Sequence, residues 1–159
     1  MAVCGQMRER VLTENEDAFV LQAERRYRER DGDWTTVLVP AFQKYIFAEI
    51  TDLTDFRVRL RRIKEMTKLL ESGGEIAPIS ESEEMLLSQL GGEDHIIRLS
   101  SGYIIGGKAI VTGGPLKGRE GLVRWTNPRQ GLIGIEVALF GRSARVKLGM
   151  EYVSPVKAG

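Results

Sequence analysis

Between Gly106 and Val123 the chain runs Gly-Gly-Lys-Ala-Ile-Val-Thr-Gly-Gly-Pro-Leu-Lys-Gly-Arg-Glu-Gly-Leu-Val. No other stretch narrows the fold as much. Lys108 to Thr112 alternates in polarity and is rich in β-branched side chains, as a half-buried strand requires. Gly113, Gly114, Pro115 and Gly118 then supply turn geometry, because Gly reaches positive φ and Pro pre-sets φ near about −65°. The stretch therefore predicts a strand, a tight turn and a second strand.

The rest of the second half keeps that pattern. Candidate strands run over 108–112, 120–125, 132–139, 142–148 and 152–153. Ile133, Ile135, Val137 and Leu139 alternate with partners on the other face, and Ala144, Val146 and Leu148 alternate with Ser143, Arg145 and Lys147. Gly141 marks a hairpin between the last two long strands. Strands this short, in about 50 residues, predict a small barrel.

The first half mixes patterns. Thr13-Glu14-Asn15-Glu16 fits a capping box, and Phe19, Val20, Ala23 and Tyr27 fall on one helical face, so a helix is expected there, closed by Arg30-Asp31-Gly32-Asp33. Strands are expected over 34–39, stopped by Pro40, and over 45–50. A second helix opens near Thr54, with Phe56, Leu60 and Ile63 as its apolar stripe. Ser80-Glu81-Ser82-Glu83 is another capping box, followed by Leu86, Leu87 and Leu90 on the packed face, and Gly91-Gly92 closes that helix. Helices on a small, mostly antiparallel sheet make this half an α+β sandwich.

Composition limits the chemistry. With one cysteine, Cys4, and one histidine, His95, neither an intrachain disulfide nor a Cys/His zinc site is expected, and no nucleophile–base pair emerges. The expectation is a protein that is not an enzyme and needs no cofactor or metal. No run of about 18 apolar residues is present, so no membrane span is expected, and the first residues lack a basic-then-apolar leader pattern. The cytoplasm is the expected location. Net charge is +1, but residues 104–159 hold nine Lys and Arg against three acids, a local excess of +6 that leaves the first 103 residues at −5. Such asymmetry predicts two modules with different partners.

The motifs carry a family resemblance. The Gly106–Val123 stretch resembles a KOW motif, and Ile135-Glu136-Val137-Ala138-Leu139-Phe140-Gly141-Arg142 resembles the KOW strand that ends in F-G-R. In the first half, Val37-Leu38-Val39-Pro40, Tyr45-Ile46-Phe47-Ala48-Glu49 and the stretch from Ala77 to Glu83 are similar to segments of the NGN domain. Together they resemble the NusG family of transcription elongation and antitermination factors. Leu99 to Gly106 and the Gly114-Pro115-Leu116-Lys117-Gly118 turn are most like the LoaP-type specialised paralogues. The chain departs from those paralogues at Trp125-Thr126-Asn127-Pro128-Arg129-Gln130, where they often carry a denser basic cluster.

The resemblance implies an NGN domain over 1–91, a linker over 92–103 and an SH3-like KOW barrel over 104–159. It implies a monomer that docks on the clamp helices of RNA polymerase, with Phe42, Tyr45, Met66 and Leu69 at matching positions. The same side chains also suit the core of a small sheet. Arg57, Arg61 and Lys64 on the second helix suit either a solvated face or DNA at the transcription bubble. In the barrel, Lys117, Arg119, Arg124, Arg129, Arg142, Arg145 and Lys147 form a cationic set. They either solubilise the domain or bind nascent RNA. A hairpin is favoured over a free single strand because Trp125 alone is placed for stacking. The alternative is a general elongation factor whose KOW domain holds a ribosomal protein or a termination factor.

Overall fold

The computed structural model describes residues 12–14, 16–42, 45–60, 71–72, 75–76, 79–139 and 141–154. It is a mixed α+β chain, mostly sheet, with two described helices, α1 (Leu53–Leu60) and α2 (Glu81–Gly91). The strands are β1 (Asp17–Phe19), β2 (Gln22–Arg28), β3 (Trp34–Pro40), β4 (Phe47–Glu49), β5 (Glu71–Ser72), β6 (Glu75–Ile76), β7 (Ile96–Ile97), β8 (Ser100–Ile105), β9 (Lys108–Gly113), β10 (Val123–Asn127), β11 (Leu132–Leu139) and β12 (Arg142–Tyr152).

The second half is one five-stranded sheet in the order β10-β11-β12-β8-β9. It is antiparallel except where β12 meets β8 in parallel. A single 3-10 turn, Glu120–Leu122, packs on both β9 and β11, so the sheet curls into a half-barrel. Alternation drives the ladder: Ile133, Ile135, Val137 and Leu139 are at most 5% exposed, and Val146 and Leu148 face them from β12. The Gly-Pro turn is fixed by sterics and by one buried hydroxyl. Gly114 sits at φ +89°, and a Cβ there would lie 2.5 Å from the Ser100 Cα. The Ser100 Oγ accepts the Leu116 N–H at 3.1 Å, with both residues almost fully buried.

The first half departs from its expected order. Residues 17–28, expected as a helix, form β1 and β2 instead. The half-formed capping turn survives, since the Glu16 carboxylate accepts the Thr13 N–H at 3.0 Å. That carboxylate is then taken by Arg59 of α1, at 2.8 and 3.2 Å, and by the Thr51 N–H at 2.9 Å. Asp31-Gly32 closes a β2–β3 hairpin rather than ending a helix, with Gly32 at φ +92° and the Glu29 N–H bonded to the Asp33 carbonyl at 2.7 Å. The expected strand at 34–39 and the helix after the Ser80 capping box form, and the strand expected over 45–50 forms only over 47–49. In that box the Ser80 Oγ accepts the Glu83 N–H at 3.2 Å and the Glu83 carboxylate accepts the Ser80 N–H at 2.8 Å.

One strand lies within 92–103, the stretch expected as a linker, and a second begins there. β7 pairs in parallel with β2, giving the sheet β3-β2-β7, and β8 begins at Ser100. The core is continuous across it. Leu21, Ala23, Ala41, Phe42, Leu90 and Ile97 cluster with Ile133, Ile135, Val146, Leu148 and Met150. The closest approach is at Gly149 of β12, where a Cβ would stand 2.5 Å from the Glu24 carbonyl oxygen and 2.9 Å from the Arg25 Cα. Glycine lets β2 lie directly on β12.

Candidate nucleic-acid interface

The register of β10, β11 and β12 decides which cations share a surface. Side chains alternate faces along a strand, so Arg145 and Lys147 lie opposite the buried Val146 and Leu148, and both are exposed. Lys147 stands across from Gly134 of β11, and Gly134 stands across from Trp125 of β10. A Cβ on Gly134 would sit 2.2 Å from the Trp125 Cε2 and Nε1 atoms, so the indole lies over the glycine. Trp125 keeps 37% of its surface exposed there. One row across the sheet is therefore an aromatic ring, a bare backbone and a cation.

The neighbouring row is a charge network. Arg145 stands across from Glu136, and the Arg124 Nε donates to Glu136 at 3.2 Å. The Ser143 hydroxyl, then Arg124, hold the Glu136 carboxyl below its usual range, with the Arg145 charge adding to the effect. Arg124 also donates to the Gly121 and Val123 carbonyls, at 2.8 and 3.3 Å. It is thus committed to the protein, while Arg145 and Lys147 stay exposed for an anion.

The remaining cations of the set are dispersed. Arg142 is exposed but follows the alternation of Ala144 and Val146, which places it on the opposite side of β12 from Arg145. Lys117 is exposed on the turn after β9, at the far edge of the sheet. Arg119 donates to the Gln89 side chain of α2, which ties that turn to the first half. Arg129 is exposed on the β10–β11 turn. A phosphate-lined groove of all seven is not what the fold builds. It builds a smaller patch around Trp125, Lys147 and Arg145.

Phe42 is 7% exposed and belongs to the core, its ring centroid 5.9 Å from those of both Tyr45 and Phe47. Tyr45 is half-buried against the same cluster. Met66, Leu69, Arg61 and Lys64 lie outside the described residues. Arg57 is exposed on α1. On the same helix Arg59 is 8% exposed, held in its pair with Glu16.

One cluster escapes the sequence reading. The Arg26 guanidinium lies 4.4 Å from the centre of the Trp34 ring and that of Arg28 lies 5.7 Å from it. The helix expected over residues 17–28 hides this grouping, because only a hairpin sets Arg28 opposite Trp34 and Arg26 opposite Thr36.

Among the described residues no three His, Cys, Asp or Glu side chains gather as metal ligands, and no helix is long and apolar enough to cross a membrane. No family model matches the chain, and no curated protein matches it.

Proposed function

We propose that the protein is a cytoplasmic, non-enzymatic transcription antitermination and elongation factor of the NusG type, binding nascent RNA through its second half and RNA polymerase through its first. The observation that carries the reading is the Trp125–Gly134–Lys147 row with Arg145 beside it. An exposed indole next to exposed cations is the arrangement that stacks bases and neutralises phosphates. The resemblance of both halves to NGN and KOW segments supplies the polymerase partner. The mixed α+β architecture with a curled five-stranded sheet is compatible with that pair of domains.

The test is transcription in vitro through a terminator placed downstream of a hairpin-coding segment. Added protein raises read-through in proportion to the hairpin. Arg145→Glu with Lys147→Glu removes that gain while the protein still co-elutes with RNA polymerase. Loss of co-elution together with read-through overturns the division of labour.

A second reading has its own observation. Ile105 and Ile110 are 55% and 37% exposed, and the β8–β9 register puts both on the face of Tyr103. An apolar patch there suits a protein partner, such as a ribosomal protein or a termination factor. Ile105→Ser would then weaken capture of that protein and leave RNA affinity unchanged.

A further inference from the structure

The Arg26–Trp34–Arg28 cluster belongs to the first half, and the Trp125 patch to the second, yet the fold sets them on one side of the same sheet. Along β12, Arg145, Lys147 and Gly149 share a face. The side of Gly149 that a Cβ would fill is occupied by the backbone of Glu24 and Arg25. Strand β2 therefore crosses the sheet on the face that carries Lys147 and Arg145. The next two residues of alternation along β2 bring up Arg26 and Arg28. Gly131, in the β10–β11 turn, closes the contact. A Cβ there would lie 3.3 Å from Trp34 Cζ3 and 3.5 Å from the Arg26 Cβ. Gly131 precedes Gly134, the seat of Trp125, by three residues of chain, about 10 Å of strand.

Two of the acids that border this face, Glu24 and Glu136, are occupied, and a third, Glu151, lies exposed beyond Gly149 at the end of β12. Glu24 accepts the Leu99 N–H at 2.9 Å and has Arg98 at 3.5 Å. Glu136 is held by Ser143 and Arg124. What the face presents is Trp125, part-exposed, Trp34, half-buried with the Arg26 guanidinium over its ring, and the cations Arg26, Arg28, Arg145 and Lys147.

We infer that the β2–β3 hairpin and the outer face of β10–β11–β12 form one binding surface for unpaired RNA nucleotides, with Trp34 and Trp125 as its two stacking positions. The inference rests on the RNA reading above and narrows it to the loop or bulge of a hairpin rather than its stem. Bases in a stem are already stacked on one another, and the deep major groove of A-form RNA hides their edges. Unpaired bases offer free faces to indole rings and guanidinium planes. Stacking is tolerant of base identity, so two stacking positions alone fix the strand's path and not its sequence. The phosphates between them meet Lys147 and Arg145.

The chain holds only two tryptophans, which makes the test direct. In the full chain, Trp125→Phe leaves Trp34 as sole reporter and Trp34→Phe leaves Trp125, and circular dichroism confirms that each variant folds. The probes are a hairpin RNA with a long unpaired loop and the same stem as a blunt duplex. The looped RNA is expected to quench both single-tryptophan variants and the duplex neither. Arg26→Gln with Arg28→Gln is expected to weaken looped-RNA binding by roughly tenfold. Quenching of Trp125 with Trp34 unchanged, and no loss in the Arg26/Arg28 variant, confines the RNA to the second half and overturns the shared surface while the RNA reading stands. Equal quenching by the duplex overturns the preference for unpaired nucleotides. No quenching and no anisotropy change with any RNA removes the RNA reading itself.

Discussion

The two halves of this molecule are held together by different physics. The second half rests on a long antiparallel ladder, β11 against β12 over eight paired positions, whose inner face is almost wholly aliphatic and buried. The first half has short strands, a three-stranded sheet with few buried side chains of its own, and a buried carboxylate–guanidinium pair, Glu16 with Arg59, tying β1 to α1. It completes its core by lying on β12. An apolar ladder specifies itself through alternation. A polar pair and a docked strand specify themselves only once the partner surface exists.

The contrast can be broken most sharply at Gly149. Gly149→Val drives a side chain into the Glu24 carbonyl and the Arg25 backbone, which cannot rotate away. We expect a loss of about 3 kcal/mol in urea unfolding and hydrogen exchange that rises in β2 and β3 before β11. Uniform loosening of both halves would show that they share one cooperative unit.

Next in size is the buried pair. Glu16→Gln removes the charge facing Arg59 and should lower Tm by about 5 °C or more at neutral pH. The Arg59 guanidinium holds the Glu16 carboxyl well below the usual carboxylate range. A depressed folded-state pKa contributes stability that is complete above the ordinary carboxylate pKa and fades as pH falls below it. Acid melts of the unaltered chain should therefore start to approach those of Glu16→Gln below about pH 4 and draw closer as the pH falls further. Parallel curves would place the variant's defect in packing rather than in the charge.

Smaller effects sharpen the site. Gly134→Val should displace the Trp125 ring, shift its emission and weaken RNA binding by roughly tenfold, with a smaller change in stability than Gly149→Val. Glu136→Gln removes an acid from the face and releases Arg124, so RNA affinity should rise roughly threefold at low salt. An unchanged affinity would mean that the Arg124 row lies outside the footprint.

The same contrast explains what could be read in the sequence. Ile133 to Leu139 and Ala144 to Leu148 announce their strands because one face is buried and the other is not. The Ser80 box announces α2 because its hydrogen bonds are local. Residues 17–28 mislead, since Phe19, Val20, Ala23 and Tyr27 fit a helical stripe, while the Asp31-Gly32 hairpin and the docking of β2 at Gly149 decide the outcome from far away. β8 carries no such signal, because Ser100-Ser101-Gly102 has the composition of a linker and is fixed as strand by distant partners such as Leu116, whose N–H the Ser100 hydroxyl accepts. Of the site, Trp125, Arg145 and Lys147 were legible as a charged, aromatic strand face. The scatter of Arg142, Lys117 and Arg119, the role of Gly134 and the Trp34 cluster depend on register and on contacts between the halves, which spacing alone does not encode.

The most direct test of the central claim is a salt titration of looped-hairpin RNA binding by the full chain and by Arg145→Glu/Lys147→Glu. The account predicts affinity that falls steeply with salt in the unaltered chain. In the variant, affinity drops by at least about tenfold at low salt and the slope of log K against log salt becomes shallower by about two. An unchanged affinity and slope would contradict it, because the face around Trp125 would then not be where the RNA lies.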